Sequence, residues 1–402
     1  MKTKKLNSPL IKIMLRETFR IAERKTLYSL IIVLPVLLFF IFALIYKSSV
    51  VRDLPVVIYD ADNSELSRML TRSADAASSM AVYKYVNSIS DVKQEFLRGN
   101  AQGAFYFPKG LEADLKSGKK ASVVLFKNTT NLIVGNLLYK DGVTVIRTIS
   151  GGILLKKLKS RGLTEEKAMT IVNPIRLETH ALFNPYYNYS NYIIPGLIMA
   201  VLQMIIMISG VLVISSEFSH NTFAELVQIS GGSALRILCG KAVPHLLIHS
   251  ATLFFVIGLI FPVFNIEIRG SVIFTMLFSL LFICAALFPA LLISSFFHEQ
   301  LLATEMAVFI NTPSFIFSGF TFPLWSMPAL HNYFSIIIPY THFITGFLKI
   351  YQMQAPARYV IPEITALIIF AAVSFAGSAA VLKREIKTHA ANIKAAEEGV
   401  LA

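Results

Sequence analysis

The sequence predicts an α-helical integral membrane protein of six transmembrane helices, with an α/β domain inserted on the extracytoplasmic side. Three observations lead there. Only 15% of the 402 residues are charged while 55% are hydrophobic, and the mean hydropathy is +0.62. Those figures exclude disorder, and so few charges cannot cover a soluble fold of this size. Several stretches contain no Lys, Arg, Asp or Glu over lengths sufficient to cross the hydrocarbon core, where a charge costs about 2.5–3.5 kcal/mol. After the first of these stretches the chain changes to short amphipathic segments.

The predicted spans are residues 27–46, 190–216, 241–264, 270–297, 302–320 and 359–382. The uncharged run 306–348 is too long for one helix and is broken by Pro313, Pro323, Pro328 and Pro339. Residues 321–358 are therefore read as an outer hairpin that re-enters the membrane, with Trp325, Tyr333 and Tyr340 near the headgroups. Residues 1–26 carry eight Lys and Arg, the tail 383–402 carries four, and the opposite short loops hold Arg269, Lys349 and Arg358. Both termini are thus expected in the cytoplasm, with the first span a signal anchor in the cell (inner) membrane. The formal charge of +13 divides into +6 in residues 1–26 and +7 in residues 47–189, with no excess elsewhere, so it is not one nucleic-acid surface.

Within residues 1–26, positions 9–25 form an amphipathic helix. Leu10, Ile11, Met14, Leu15, Phe19 and Ala22 share one face, and Lys12, Arg16, Arg20 and Arg24 recur on the other. The helix is expected in the inner interface, its cations near the anionic headgroups of membrane lipids; the alternative is a soluble arm.

Residues 47–189 form the extracytoplasmic domain. Strands are expected at 55–59, 82–86, 104–107 and 122–126, with a further return strand at 171–177. Helices are expected from a cap within Asp60-Ala61-Asp62-Asn63-Ser64 to Ser79, from Ser90 as cap to Arg98, around 111–115, and over 131–159. Asp60, Asp62 and Glu65 fit either a metal cluster or a helix cap, and the spacing favours the cap. Tyr83, Tyr85, Phe105 and Tyr106 fit a ligand cleft or, more simply, strand packing. Between Lys47 and Thr179 there is no Cys or His, which excludes a zinc site or histidine triad there.

The cytoplasmic linker 217–240 contains Glu217, Asn221, Thr222, Phe223, Glu225 and Leu226. Asn221 or Thr222 can cap a short helix with Glu225 as capping-box partner, and Phe223, Leu226 and Val227 form its apolar stripe. Such a helix docks in a groove on a soluble partner or is a plain interfacial turn. Ile229-Ser230-Gly231-Gly232-Ser233 has the look of an ATPase signature, but the linker has no room for an ATPase, and no phosphate-binding loop occurs in the chain. His245 and His249 share a helix face, fitting packing or hydrogen bonding better than a metal. Glu305 and Glu363 fall near opposite membrane faces, where helix-end roles are favoured over transport roles.

Several segments, in order, resemble the permease subunits of ABC-2-type exporters, in the subgroup with a large extracytoplasmic domain after the first span. Asn184-Pro185, Asn188-Tyr189 and Ile194-Pro195-Gly196 are similar to that family's entry into the second span. Glu217 with Asn221-Thr222 is similar to its Glu-x-x-x-Gly-Thr coupling segment, with Asn221 at the glycine position. Ser318 to Pro323, Ser326-Met327-Pro328 and Ile338-Pro339-Tyr340-Thr341 resemble its last outer hairpin. The resemblance implies a type V exporter-like fold. It also implies ATPase coupling through Glu217, Asn221, Thr222, Phe223, Glu225 and Leu226, and an outer gate at Phe320, Pro323, Trp325, Pro328, Pro339 and Tyr340. The implied partners are ATP-binding cassette ATPase subunits that use ATP and Mg, a second permease (identical or paralogous) and a periplasmic adaptor. The chain itself is expected to be no enzyme and to bind no cofactor or metal. The implied function is outward movement of an amphiphilic or envelope-related substrate; the competing reading is a membrane receptor or scaffold that binds through its outer domain.

Overall fold

The computed structural model describes residues 8–45, 51–175, 180, 182–184 and 188–400, which fall into two compact units divided near residues 50 and 182. The first unit opens with α1 (Pro9–Glu23), whose first helical residue is a proline that lacks only a donor the helix leaves unpaired. Arg24 breaks the helix with extended backbone, and α2 (Lys25–Tyr28), a π turn at Ser29–Val33 and α3 (Leu34–Ile45) then make one rod.

The second unit runs β1 (Leu54–Asp60), α4 (Glu65–Asp75), β2 (Met80–Val86), α5 (Ile89–Leu97), β3 (Gly103–Phe107), α6 (Leu111–Lys116), β4 (Val124–Lys127), α7 (Leu132–Ser160) and α8 (Glu165–Val172). The sheet order is β2-β1-β3-β4, parallel except for the β3–β4 pair. Alternation along β1 sends Val56 and Ile58 into a core with Leu66, Leu70, Phe105 and Leu138, and Val57 to the opposite face with Val92 and Ala104. Both faces are therefore covered, as a parallel sheet requires.

Local chemistry in this unit corrects three expectations. The first helix ends at Asp75 rather than Ser79, because Asp75 turns to accept from the Val82 amide. The cap of the next helix is Ser88, which accepts from the Asp91 amide, and not Ser90. Residues 171–172 close helix α8 instead of opening a strand; Glu165 and Glu166 in its first turn and the buried Ala168 favour the helix. Residues 176–177 lie outside the described residues. The acidic turn takes the capping arrangement: Asp60 accepts from the Asp62 and Asn63 amides and the Ser67 hydroxyl, while Asp62 accepts from the Gly110 and Glu112 amides. Tyr83 and Tyr85 are exposed, whereas Phe105 is in the core.

The first unit resumes with α9 (Tyr189–Ser219), α10 (Phe223–Ser230), α11 (Ala234–Phe255), a π turn and α12 (Phe261–Val263), then α13 (Val272–Phe296), α14 (Gln300–Phe317), α15 (Ala329–Ile336), α16 (Pro339–Tyr351) and α17 (Ile361–Val400). Among the described residues, five helices are long and apolar enough to cross a membrane: Lys25–Ile45, Ser190–Ser219, Ala234–Val263, Val272–Phe296 and Ile361–Asn392. The segment expected as the fifth span, 302–320, is the shorter α14, whose Gln300, Glu305, Asn311 and Thr312 dilute its apolarity. The helix that carries the expected third span begins at Ala234, ahead of the expected 241, so Lys241 is a helix-interior residue. The last helix continues through the expected tail.

The core of this unit forms around α9 and α13, with an aromatic stack from Phe282 through Phe343 (3.8 Å between ring centres) to Phe347 and Tyr351. Pro195, Pro244, Pro289 and Pro313 lie inside helices, where neighbouring helices shield the backbone they disturb.

Candidate functional site

A row of α1 residues that the amphipathic reading overlooks determines the site. Ile13, Glu17 and Ile21, spaced four apart, are the buried face of α1, while Leu15 and Phe19 of the expected apolar face are exposed. Ile13 packs directly on Gly240, where a side chain would meet it at 2.6 Å, so glycine there permits close approach of α1 to α11. That approach carries Glu17, fully buried, to Lys241 (Nζ to Oε2, 2.6 Å), which is equally buried.

Around this pair a network closes. Lys241 also donates to Glu217 Oε1, and Arg16 forks onto both Glu217 oxygens at 3.2 and 3.0 Å. Arg20 binds Glu17 and the Ser216 hydroxyl and caps the Leu212 and Val213 carbonyls at 3.2 and 3.3 Å. His245 Nε2 lies 2.9 Å from Glu17 Oε1; an ionised carboxylate only accepts, so the imidazole donates. Burial alone would raise the Glu17 carboxyl, but the charges of Lys241 and Arg20 and the His245 hydrogen bond outweigh it and hold the group well below the usual carboxylate range. Three helices that cross or flank the membrane face are thereby tied through charges, with the Glu17–Lys241 pair at the centre fully buried.

The six expected coupling residues divide in two. Glu217 is inside the network, and the Thr222 hydroxyl donates to its Oε2 at 2.5 Å. Thr222 consequently makes no cap hydrogen bond, which replaces the expected capping box with Glu225. Asn221 takes φ 56°, the left-handed conformation a glycine adopts freely and asparagine tolerates better than most residues. Phe223 and Leu226 are buried, Phe223 stacked on Phe218 at 4.3 Å. The apolar stripe is therefore packed within the chain and is not free to enter a partner's groove. The face of α10 left exposed is polar, with Glu225 and Gln228, and Arg16 reaches Glu225 at 3.3 Å. Beside it, a cavity of about 320 Å³ lies between α10 and α17, lined by Phe218, Asn221, Phe223, Glu385 and His389.

The six outer residues also divide. Phe320 stacks on Tyr192 at 5.4 Å and accepts from its hydroxyl through the backbone, and the Tyr340 hydroxyl donates to the Gly196 carbonyl at 2.5 Å. Tyr340 is fully buried, correcting its expected place at the headgroups; Trp325 and Tyr333 are exposed. Pro339 opens α16, and Pro323 and Pro328 are exposed in the turns around Trp325.

Of the remaining candidates, His249 meets the Ser209 hydroxyl at 3.1 Å, the hydrogen-bonding role. Glu363 pairs with Lys349 at 2.5 Å. Among the described residues no group of three or more His, Cys, Asp or Glu is placed to hold a metal ion. Sequence reasoning missed Glu17, and its signal was present: one of only two acids within a basic leader, and the one in register with Ile13 and Ile21.

Comparison with known proteins gives the following. The model of a family described as ABC-2 family transporter protein matches residues 25–380. A probable multidrug ABC transporter permease of Escherichia coli K12, YbhS, is 24% identical over 348 residues, covering 82% of this chain and 85% of its own length. A second from the same organism, the probable multidrug ABC transporter permease YbhR, is 23% identical over 358 residues, covering 89% and 93%.

Proposed function

Since the chain belongs to the ABC-2 family of transporter permeases, we propose that it is the membrane-spanning subunit of an ATP-binding cassette exporter of the subgroup with a large extracytoplasmic domain. In this reading α14 completes a set of six spans, both termini face the cytoplasm, and residues 47–189 lie outside the inner membrane. A separate ATPase subunit binds and hydrolyses ATP with Mg, and the permease works beside a second copy or a paralogue, with a periplasmic adaptor as a further partner. The substrate is amphiphilic or a component of the envelope, in keeping with the relatives' description as multidrug permeases.

The observation that carries the reading is the bracing of α10. A loose interfacial turn transmits no force, whereas α10 is held by the Phe218–Phe223 stack, by Thr222 on Glu217 and by Arg16 on Glu225. Its exposed polar face is the surface offered to the ATPase, with Glu225 foremost. A push there reaches the second and third spans through Glu217 and Lys241 without first compressing a soft contact. At the other end, Phe320 and Tyr340 tie the outer hairpin to the second span and act as its gate, with Pro323, Trp325, Pro328 and Pro339 shaping the turns.

The test is transport itself. Inside-out membrane vesicles bearing the chain and its ATPase should accumulate an amphiphilic fluorescent dye only when ATP and Mg are supplied, and Glu225→Arg should lower that rate by at least tenfold. Accumulation that proceeds equally without ATP, or none with a fully assembled complex across a panel of amphiphiles, would favour the receptor or scaffold reading.

A further inference from the structure

We propose that the cleft between the basic end of α1 and the end of α9 binds the phosphate of an anionic phospholipid, with Arg24 as the anchoring cation. The inference rests on the chain spanning a membrane and not on its being an exporter.

The cleft has a volume of about 570 Å³ and is walled by Arg16, Phe19, Arg20 and Arg24, with Glu23, Ser216, Glu217 and Thr222 completing it. Its charges are unequally satisfied. Arg16 is held by Glu217 and Glu225, and Arg20 by Glu17. Glu217 is in turn saturated by Arg16, Lys241 and Thr222. Arg24 is half-buried, and among the described residues no hydrogen bond or ion pair holds its guanidinium. Burial, and then the charge of Arg20, hold Arg24 below its ordinary basicity despite Glu217 and Glu17, as expected of a cation short of counter-charge. Arg20 adds a second unmet demand: its side chain is 10% exposed and its Nε has no partner.

Position selects the ligand. Arg24 is the extended residue between α1 and the apolar rod that begins at Lys25, so it sits where headgroup gives way to hydrocarbon. Phe19 and Leu15 on α1, and Val33 and Leu37 on the rod, are exposed apolar side chains along which acyl chains can lie. A free phosphate would leave that surface unused. With one unpaired cation and Glu23 at the mouth, the charge fits a singly ionised phosphodiester better than a doubly charged phosphomonoester.

Full-length protein reconstituted with equal amounts of phosphatidylglycerol and phosphatidylcholine, then stripped stepwise in mild detergent, can be examined by native mass spectrometry. The wild type should retain phosphatidylglycerol in preference. Arg24→Gln should lower that retention about fivefold, since a cation at the surface contributes about 1 kcal/mol. Arg24→Lys should keep most of it, and Lys119→Gln in the other unit should change nothing. Equal retention of the two lipids by the wild type overturns the proposal, and needs no variant to fold. So does undiminished retention by a folded Arg24→Gln, or displacement of the lipid by excess inorganic phosphate, which would mark a site for free anions.

Discussion

Glu17 and Lys241 show how a pair of charges can be tolerated where neither alone would be. Each is removed from water, and each has more than one partner, so the desolvation penalty is met by several charge-assisted hydrogen bonds. Removing one member strands the others. Lys241→Met should therefore lower stability by about 3–5 kcal/mol, read by unfolding in mixed micelles. The double variant Glu17→Gln/Lys241→Met should lose less than the sum of the two single losses. Strict additivity would show that the network is not a unit. At this scale the sequence was half legible. Glu217, Asn221 and Thr222 stood out as a motif, but Glu17 is an acid within a basic leader whose charges alone point to lipid headgroups. Only the approach of α1 to α11 shows that two of those cations, Arg16 and Arg20, bind carboxylates instead.

Among the elements, α1 matters most for how the site is assembled, and its packing rests on Gly240. A side chain at that position would lie 2.6 Å from Ile13 Cγ2 and 2.8 Å from its Cβ, so one helix must move. Gly240→Val is expected to cost about 1–3 kcal/mol and to detach α1. Trypsin should then cleave after Arg16 and Arg20 several-fold faster than in the wild type, because both lose their burial with the helix. Unchanged cleavage would mean that α1 is held elsewhere. Elements were readable where periodicity and capping agree, as at Ser64 and Asn131, whose side chains accept from the amides of the helices they open. They were misread where a charge lies inside a helix. Lys241 looks like the edge of a linker because lysines usually end spans, yet its ammonium is neutralised in place by two carboxylates, and the helix runs through it from Ala234. The buried face of α1 was misread for a related reason: the broad apolar stripe of Leu15 and Phe19 is exposed and suits lipid, while the narrower row of Ile13, Glu17 and Ile21 packs against protein.

At the scale of the molecule, composition was enough to announce a membrane protein, because a chain with 15% charged residues leaves long stretches that only a bilayer accommodates. Composition cannot count the spans with the same force. The proline-broken run after Glu299 contains α14, a turn region, α15 and α16, and its polar positions dilute the signal that makes the other five helices plain. The matched family model covers residues 25–380 and so begins just after α1. The helix that locks the network therefore lies outside the matched region, whereas Glu217 lies within it. The reading as an exporter subunit proposes that a separate ATPase drives this chain, as membership of the ABC-2 family implies. The direct measurement is to solubilise it gently from native membranes, isolate it at its normal abundance and identify what accompanies it by quantitative mass spectrometry. The account predicts an ATP-binding cassette ATPase in about equal amount, released when Glu225 is replaced by Arg. A transport-competent complex that contains no ATPase chain would contradict it.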